Sequence, residues 1–331
     1  MQARDPLPYF SARQFANERF GRALFRVVVD AGFSCPNRDG SRGTGGCLFC
    51  SIAGFRPPSS EPGRPLAEQI ARALPLLRRR YPRAGGYLLY FQPYTNTYGP
   101  PEKLARALAE ARASGAEGVV VATRPDALPE EMLDVLASFA ATSFLQVELG
   151  VQSTHEPALA AMRRGHRWSD SARAIERLKQ RGIRVGAHMI LGTPWEPLES
   201  QVEGAARISL TGIDAVKIHH LQVVSGSTLA REFEREAFDL PDWRAYANLA
   251  ASFLERLSPD VVVERLFAST RPGTLLAPKW DAPPGRVRDE IVRILQERGT
   301  RQGSRWRAAE GEPDGASSCG DETDSGAHET P

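Results

Sequence analysis

Four cysteines in 331 residues are too few to staple a fold, and no apolar run approaches the ~20 residues that cross a bilayer as a helix. The opening residues, MQARDPLPYFSARQF, lack the continuous apolar stretch of a signal peptide. These absences argue against a disulfide-built secreted domain and a helical membrane protein, so the expected location is cytoplasmic, with no membrane partner. Repeats of solenoid length are missing. So is a strong net charge, the formal sum being +2. That small number hides a division. Residues 308–331 hold seven acids and no Lys or Arg, so the rest carries 42 basic residues against 33 acids, or +9. A body of that charge is compatible with a nucleic-acid partner, although an arginine-rich composition alone gives the same sum. The tail has almost no large apolar residue and is expected to be disordered. It holds Cys319, which receives no role here.

What the chain does have is alternation. Short apolar runs at Leu24–Asp30, Tyr87–Phe91, Gly118–Ala122, Phe144–Leu149, Val185–Leu191 and Ala215–His219 read as strands. Between them, Leu66–Arg80, Glu102–Ala113, Glu130–Phe139, Ser169–Arg181 and Leu198–Leu210 carry apolar residues at helical spacing. Gly115, Gly182 and Gly212 follow helical patterns and fit C-terminal caps. Helices long enough to cross back imply parallel βαβ units. Six such units give an α/β sheet that either curls into a partial barrel or stays doubly wound, and periodicity does not choose. In both, site residues gather at the C-terminal ends of the strands. After His220 the pattern loosens into a helix at Asp242–Leu257, a strand at Val261–Phe267 and a last helix at Arg286–Arg298. The expected organisation is a lead-in (1–22), a core (23–222), a C-terminal α/β extension (223–306) and the tail (307–331).

The first strand opens into AGFSCPNRDGSRGTGGCLFC. Eleven residues separate Cys35 from Cys47, and two separate Cys47 from Cys50; Gly40, Gly43, Gly45 and Gly46 let the loop fold tightly. Close cysteines in a reducing compartment point to metal or redox chemistry. Three thiolates can hold three irons of a [4Fe–4S] cluster and leave the fourth iron free for a chelating substrate. Zinc is the rival, with His155, His166 or His188 as a distant fourth ligand. The cysteines alone leave both readings standing, beside that of a loop that binds nothing.

The likeness to a known family lies in CPNRDGSRGTGGCLFC together with YFQPYTNTY (90–98), ATRPD (122–126), VELGVQS (147–153), MRRGH (162–166), HMILGTP (188–194), VKIHHL (216–221) and ASTRPGTLLAPKW (268–280). In order and spacing these resemble the radical SAM superfamily in its long-spaced, Elp3-like form, and within it the YhcC/YtqA group. The resemblance covers about residues 15–305. It implies a partial (β/α)6 TIM-like barrel, a [4Fe–4S] cluster on Cys35, Cys47 and Cys50, and S-adenosylmethionine as the second cofactor. Its implied reaction is reductive cleavage to a 5′-deoxyadenosyl radical that takes a hydrogen atom from substrate. A reductant such as flavodoxin or ferredoxin is the implied electron source.

Residue by residue, the resemblance places Phe49 near adenine, with simple core packing as its plain alternative. Many family members carry a glycine-glycine-glutamate motif after the second strand; here Gln92, Thr95 and Asn96 stand in that region. Gln152 and Arg164, twelve apart, match ribose and carboxylate contacts, although Arg164 could equally be a surface charge beside Arg163. Glu148, flanked by Val147 and Leu149, faces either the barrel axis or the other side, and its burial would be costly unless paired. His188 stands where other members place an acid that contacts the cofactor. Lys217 and His219 share one face of the sixth strand, inward toward substrate or outward under a helix. Arg124 and Asp126 form either a structural ion pair or part of the site. The YtqA side of the resemblance implies a tRNA wobble-uridine side chain as substrate, with Arg78–Arg80, Arg163–Arg167 and Arg286–Arg288 available to phosphates. A small metabolite or protein side chain is the alternative substrate, and a non-enzymatic zinc or iron–sulfur scaffold is the alternative class.

Overall fold

The structure, a computed structural model, describes residues 7–307. Of the acidic tail only Arg307 falls among them, so the disorder expected of the tail and the Cys319 reading lie outside the described residues. Numbered in chain order, the helices are α1 (Ala12–Phe20), α2 (Ile52–Phe55), α3 (Leu66–Arg80), α4 (Pro101–Ala113), α5 (Glu130–Ala140), α6 (Glu156–Ala161), α7 (Trp168–Gln180), α8 (Leu198–Leu210), α9 (Thr228–Arg235), α10 (Trp243–Arg256) and α11 (Pro284–Glu297). The strands are β1 (Leu24–Val29), β2 (Gly86–Phe91), β3 (Gly118–Thr123), β4 (Phe144–Gln152), β5 (Arg184–Leu191), β6 (Ala215–His220), β7 (Val223–Val224), β8 (Val262–Arg265) and β9 (Leu275–Ala277).

Seven parallel strands form one sheet in the order β1-β2-β3-β4-β5-β6-β8, each paired with its neighbour in sequence, while β7 and β9 make a small antiparallel pair. Adjacent parallel strands joined by helices follow from the alternating pattern. The sheet is curled. Arg26 on β1 forms an ion pair with Glu264 on β8, joining the two outermost strands across the interior. A flat, doubly wound sheet would hold those strands far apart, so the partial barrel is the architecture present. It also holds one more strand than the six expected, because the extension's strand pairs with β6. Ahead of β1, Ser11 bridges Val263 on the outer edge of β8, and α1 follows as a helix that the sequence pattern did not announce.

The period-two alternation of strand side chains decides what faces inward. Leu145, Val147, Leu149 and Val151 of β4 join the apolar core under the helices, as do Val185, Ala187, Met189 and Leu191 of β5. The intervening residues, among them Glu148, Gln152 and His188, line the barrel interior. No helix among the described residues is long and apolar enough to cross a membrane.

Candidate functional site

At the C-terminal ends of the strands a cavity of about 500 Å³ opens. The loop after β1 forms one part of its wall, and Cys35, Cys47 and Cys50 all border it. The loop is pinned by backbone bonds from Gly46 N–H to Asn37 O at 2.8 Å and from Leu48 N–H to Met162 O at 3.0 Å. Gly46 has φ of +91°, and a Cβ there would lie 3.0 Å from Arg38 Nε, so this turn needs glycine.

Cys47 is buried and ringed by donors. Arg164 Nη1 stands 3.0 Å from its Sγ, Asn37 Nδ2 3.3 Å and Arg124 Nη1 3.9 Å. Burial opposes ionisation, but the two guanidiniums and the Asn37 amide outweigh it and lower the thiol's pKa. Burial and the neighbouring Cys47 raise the pKa of Cys50, against the pull of Arg38, whose Nη2 is 3.5 Å from its Sγ. Among the described residues no three metal-ligating side chains converge on a single point. The three sulfurs instead border a common space, as ligands to separate irons do. Thiol donors with N–H groups aimed at them suit an iron–sulfur cluster, whose sulfurs take such hydrogen bonds.

Arg164 is not a surface charge. It is 5% exposed, donates to the Gly150 carbonyl at 2.6 Å and to His166 Nε2 at 3.2 Å, while Arg163 is exposed and pairs with Glu232. Burial and Arg164 hold the pKa of His166 down to about 4, which leaves it neutral and able to accept that bond. Gln152 closes β4 at a break in register, with φ of +72°. Tyr94 and Arg163 share such left-handed backbone, at the cavity wall and beside Arg164. For a non-glycine residue that conformation costs about 1–2 kcal/mol, and such strain clusters at functional sites. Gly150 sits between these groups, where a Cβ would come within 2.8 Å of Gln152 Nε2 and 3.0 Å of Arg164 Nη2. On the expectation that Gln152 and Arg164 hold S-adenosylmethionine, Gly150→Ala should displace both side chains and weaken its binding about tenfold, with little change in melting temperature. Equilibrium binding to the cluster-loaded protein checks this, and unchanged affinity would refute it.

Glu148, 1% exposed, faces inward and is the hub of the cavity floor. Its Oε2 accepts from Tyr90 Oη and Lys217 Nζ, each at 2.7 Å, and from His188 Nε2; its Oε1 pairs with Arg26. Burial alone would raise its pKa, but Arg26, Lys217 and His188 hold it well below the usual carboxylate range. Burial and Lys217 lower His188 to about 4, so His188 is neutral and donates through Nε2–H. Burial lowers Lys217 to about 8 against the opposing pull of Glu148. Lys217 and His219 both face inward, and His219 stacks on His188 with ring centroids 5.5 Å apart. Arg26 and Glu264 belong to this network and carried no signal in the sequence, and Tyr90, though it opens the YFQPYTNTY motif, was given no role there.

The remaining expectations divide. Phe49, Gln92 and Thr95 line the cavity. Asn96 does not: it is fully buried, and its amide donates to the backbone oxygens of Phe91, Pro93 and Ala122. The cofactor contact expected of it is thus corrected to a bracket that ties the end of β2 to β3. Arg124 and Asp126 are a bidentate ion pair, 2.9 Å at each contact, and Arg124 also lines the cavity.

The profile of the Radical SAM superfamily matches residues 39–203, and that of the Radical SAM C-terminal domain matches 213–297. The chain is 35% identical over 289 residues to protein YhcC of Escherichia coli, covering 86% of this chain and 91% of that one. It is 30% identical over 320 residues to YtqA of Bacillus subtilis, covering 94% and 99%. A stretch of 121 residues, 36% of this chain and 22% of the relative, is 31% identical to a tRNA uridine(34) acetyltransferase of Methanocaldococcus infernus. Among solved structures, Elp3 of Methanocaldococcus infernus superposes with a TM-score of 0.63 at 17% identity, over 84% of this chain and 64% of that one, which shows a shared fold.

Proposed function

This chain belongs to the radical SAM superfamily, in the group that holds YhcC and YtqA, and on that premise we propose that its cavity receives the wobble-uridine side chain of a tRNA. Membership sets aside the zinc and scaffold readings: the protein is an enzyme that uses a [4Fe–4S] cluster and S-adenosylmethionine. When bound, these supply a 5′-deoxyadenosyl radical able to take hydrogen from an unactivated carbon. The chain holds and orients. Cys35, Cys47 and Cys50 are the cluster ligands, and Arg164, Arg124 and Asn37 favour the thiolate of Cys47. Arg164, Gln152, Gln92, Thr95 and Phe49 bind S-adenosylmethionine, and Glu148 with His188 closes the cofactor side. Lys217 and His219 face the substrate.

One observation carries this reading: the three cysteines and the Glu148–Lys217 hub border the same cavity. The tRNA substrate draws support from the partial likeness to a tRNA uridine(34) acetyltransferase and from the basic body. Arg78, Arg79 and Arg80 close α3 as exposed residues, and Arg80 with Tyr81 reaches the cavity edge, where RNA phosphates would approach. We place the enzyme in the cytoplasm, with a flavodoxin or ferredoxin as electron donor. The test compares modified nucleosides in tRNA from a deletion strain and its parent. An altered wobble uridine is expected; an identical profile would discard tRNA in favour of a metabolite or protein side chain.

A further inference from the structure

On the β6–β8 side of the cavity, three side chains hold hydrogen-bonding capacity that nothing among the described residues uses. The argument starts at His220, which stacks on Trp280 with centroids 4.0 Å apart. Burial pushes its pKa down to about 3, so it is neutral and carries one ring proton. Its Nδ1 faces the backbone N–H of Ala268 at 3.2 Å and must accept, which leaves the proton on Nε2. That Nε2–H faces the amide of Gln222 at 3.1 Å. The atom placed there is the Gln222 nitrogen, with Oε1 left unpartnered, but only the amide oxygen can accept from Nε2–H. Turning the amide end for end satisfies His220 and puts the NH2 group at the position without a partner. Gln222 is 6% exposed and lines the cavity, which makes it a buried donor without an acceptor.

His219 adds an open ring position. It lines the cavity, and its buried Nε2 has no partner. Arg265 stands opposite Lys217 in the sheet register and lines the cavity, exposed and in no ion pair among the described residues. The acceptors nearby are already committed. Glu148 serves Arg26, Lys217, His188 and Tyr90, and Glu264 serves Arg26 and Gln146. Arg265 brings this wall a positive charge unpaired among the described residues, the Gln222 NH2 a donor and His219 Nε2 an open ring position that donates in one of its tautomers, a set suited to a ligand group built of anionic oxygens.

We propose that Arg265, Gln222 and His219 form an anion subsite that seats a carboxylate or phosphate group of the substrate. The proposal rests on the reading that the β6–β8 wall faces the substrate, and it holds whether that substrate is tRNA or a small molecule.

The test uses the cluster-loaded enzyme in its oxidised state with S-adenosylmethionine bound, so that Arg164 is engaged and no turnover occurs. Acetate and inorganic phosphate are titrated separately at constant ionic strength and followed by calorimetry. Saturable binding of at least one is expected, and the tighter of the two identifies the substrate group as carboxylate or phosphate. Arg265→Ala should weaken that binding about tenfold. Gln222→Glu should abolish it: the new carboxylate still accepts from His220 Nε2–H, so the wall keeps its packing, but it meets the ligand with like charge. Far-UV circular dichroism confirms that both variants are folded. No saturable binding of either anion, or wild-type affinity in both variants, would overturn the subsite. Failure of the tRNA reading would appear in the nucleoside profile and leave this titration unchanged.

Discussion

Cys47→Ala is expected to abolish the release of 5′-deoxyadenosine from S-adenosylmethionine under dithionite, a loss beyond the ~10–100-fold that removing even a hydrogen-bonding partner of a metal ligand costs. The parent protein, purified without oxygen, should be brown, with about four irons and four sulfides per chain. Cys47 is the cysteine on which the protein spends most of its polar groups. Arg164, Arg124 and Asn37 all point at its sulfur, and two of them are themselves held, Arg164 by the Gly150 carbonyl and Arg124 by Asp126. Removing the thiolate leaves two buried guanidiniums facing a methyl group, so the pocket loses charge balance as well as a ligand. Iron analysis and product chromatography check the result. Full activity in the variant would mean that the sulfur at residue 47 is not a cluster ligand.

Glu148→Ala should destabilise the fold by about 3–5 kcal/mol, the range seen when one partner of a buried ion pair is removed. Arg26 would keep Glu264, but Lys217 would lose the carboxylate with which it pairs among the described residues. Adding Lys217→Met to Glu148→Ala should recover part of that loss, since removing both charges leaves neither unpaired. Chemical denaturation of the single and double variants measures the coupling, and a cost below about 1 kcal/mol for the single change would show that the hub is dispensable to folding. The pH dependence follows from the same groups. The depressed carboxyl of Glu148 contributes stability that is present above the ordinary carboxylate range and lost as pH falls toward its folded value. Lys217 acts in the opposite sense. Its pKa drops from 10.5 unfolded to about 8 folded, so the unfolded chain binds more protons in that window and stability rises with pH across it.

Much of the fold could be read along the chain because its strands are short apolar runs and its crossover helices carry a clear apolar stripe. The helix α1 escaped because ARQFANERF buries only Ala16, and so shows no stripe. The strand β8 was recognised but assigned to an appended layer, since nothing local in VVER says which sheet it joins. In the site, the cysteine loop is legible through its spacing, whereas Gln152 and Arg164 are singled out only by the resemblance to the family. Asn96 misled because an amide in a polar turn can serve the backbone as readily as a ligand. Arg26 and Glu264 were invisible, being ordinary charged residues 238 positions apart.

Local order therefore decided the strands, the helices and the tight cysteine loop, because periodicity, turn-forming glycines and close spacing act within a few residues of one another. The cluster reading of that loop came instead from the motifs spread along the whole chain. Which way Glu148, Lys217 and His219 point was decided by the curl of the sheet. Alternation assigns each residue to one of two strand faces but cannot say which face is enclosed. Only when β8 closes toward β1, through Glu264 and Arg26, do those side chains become the floor of the cavity that the cysteines border.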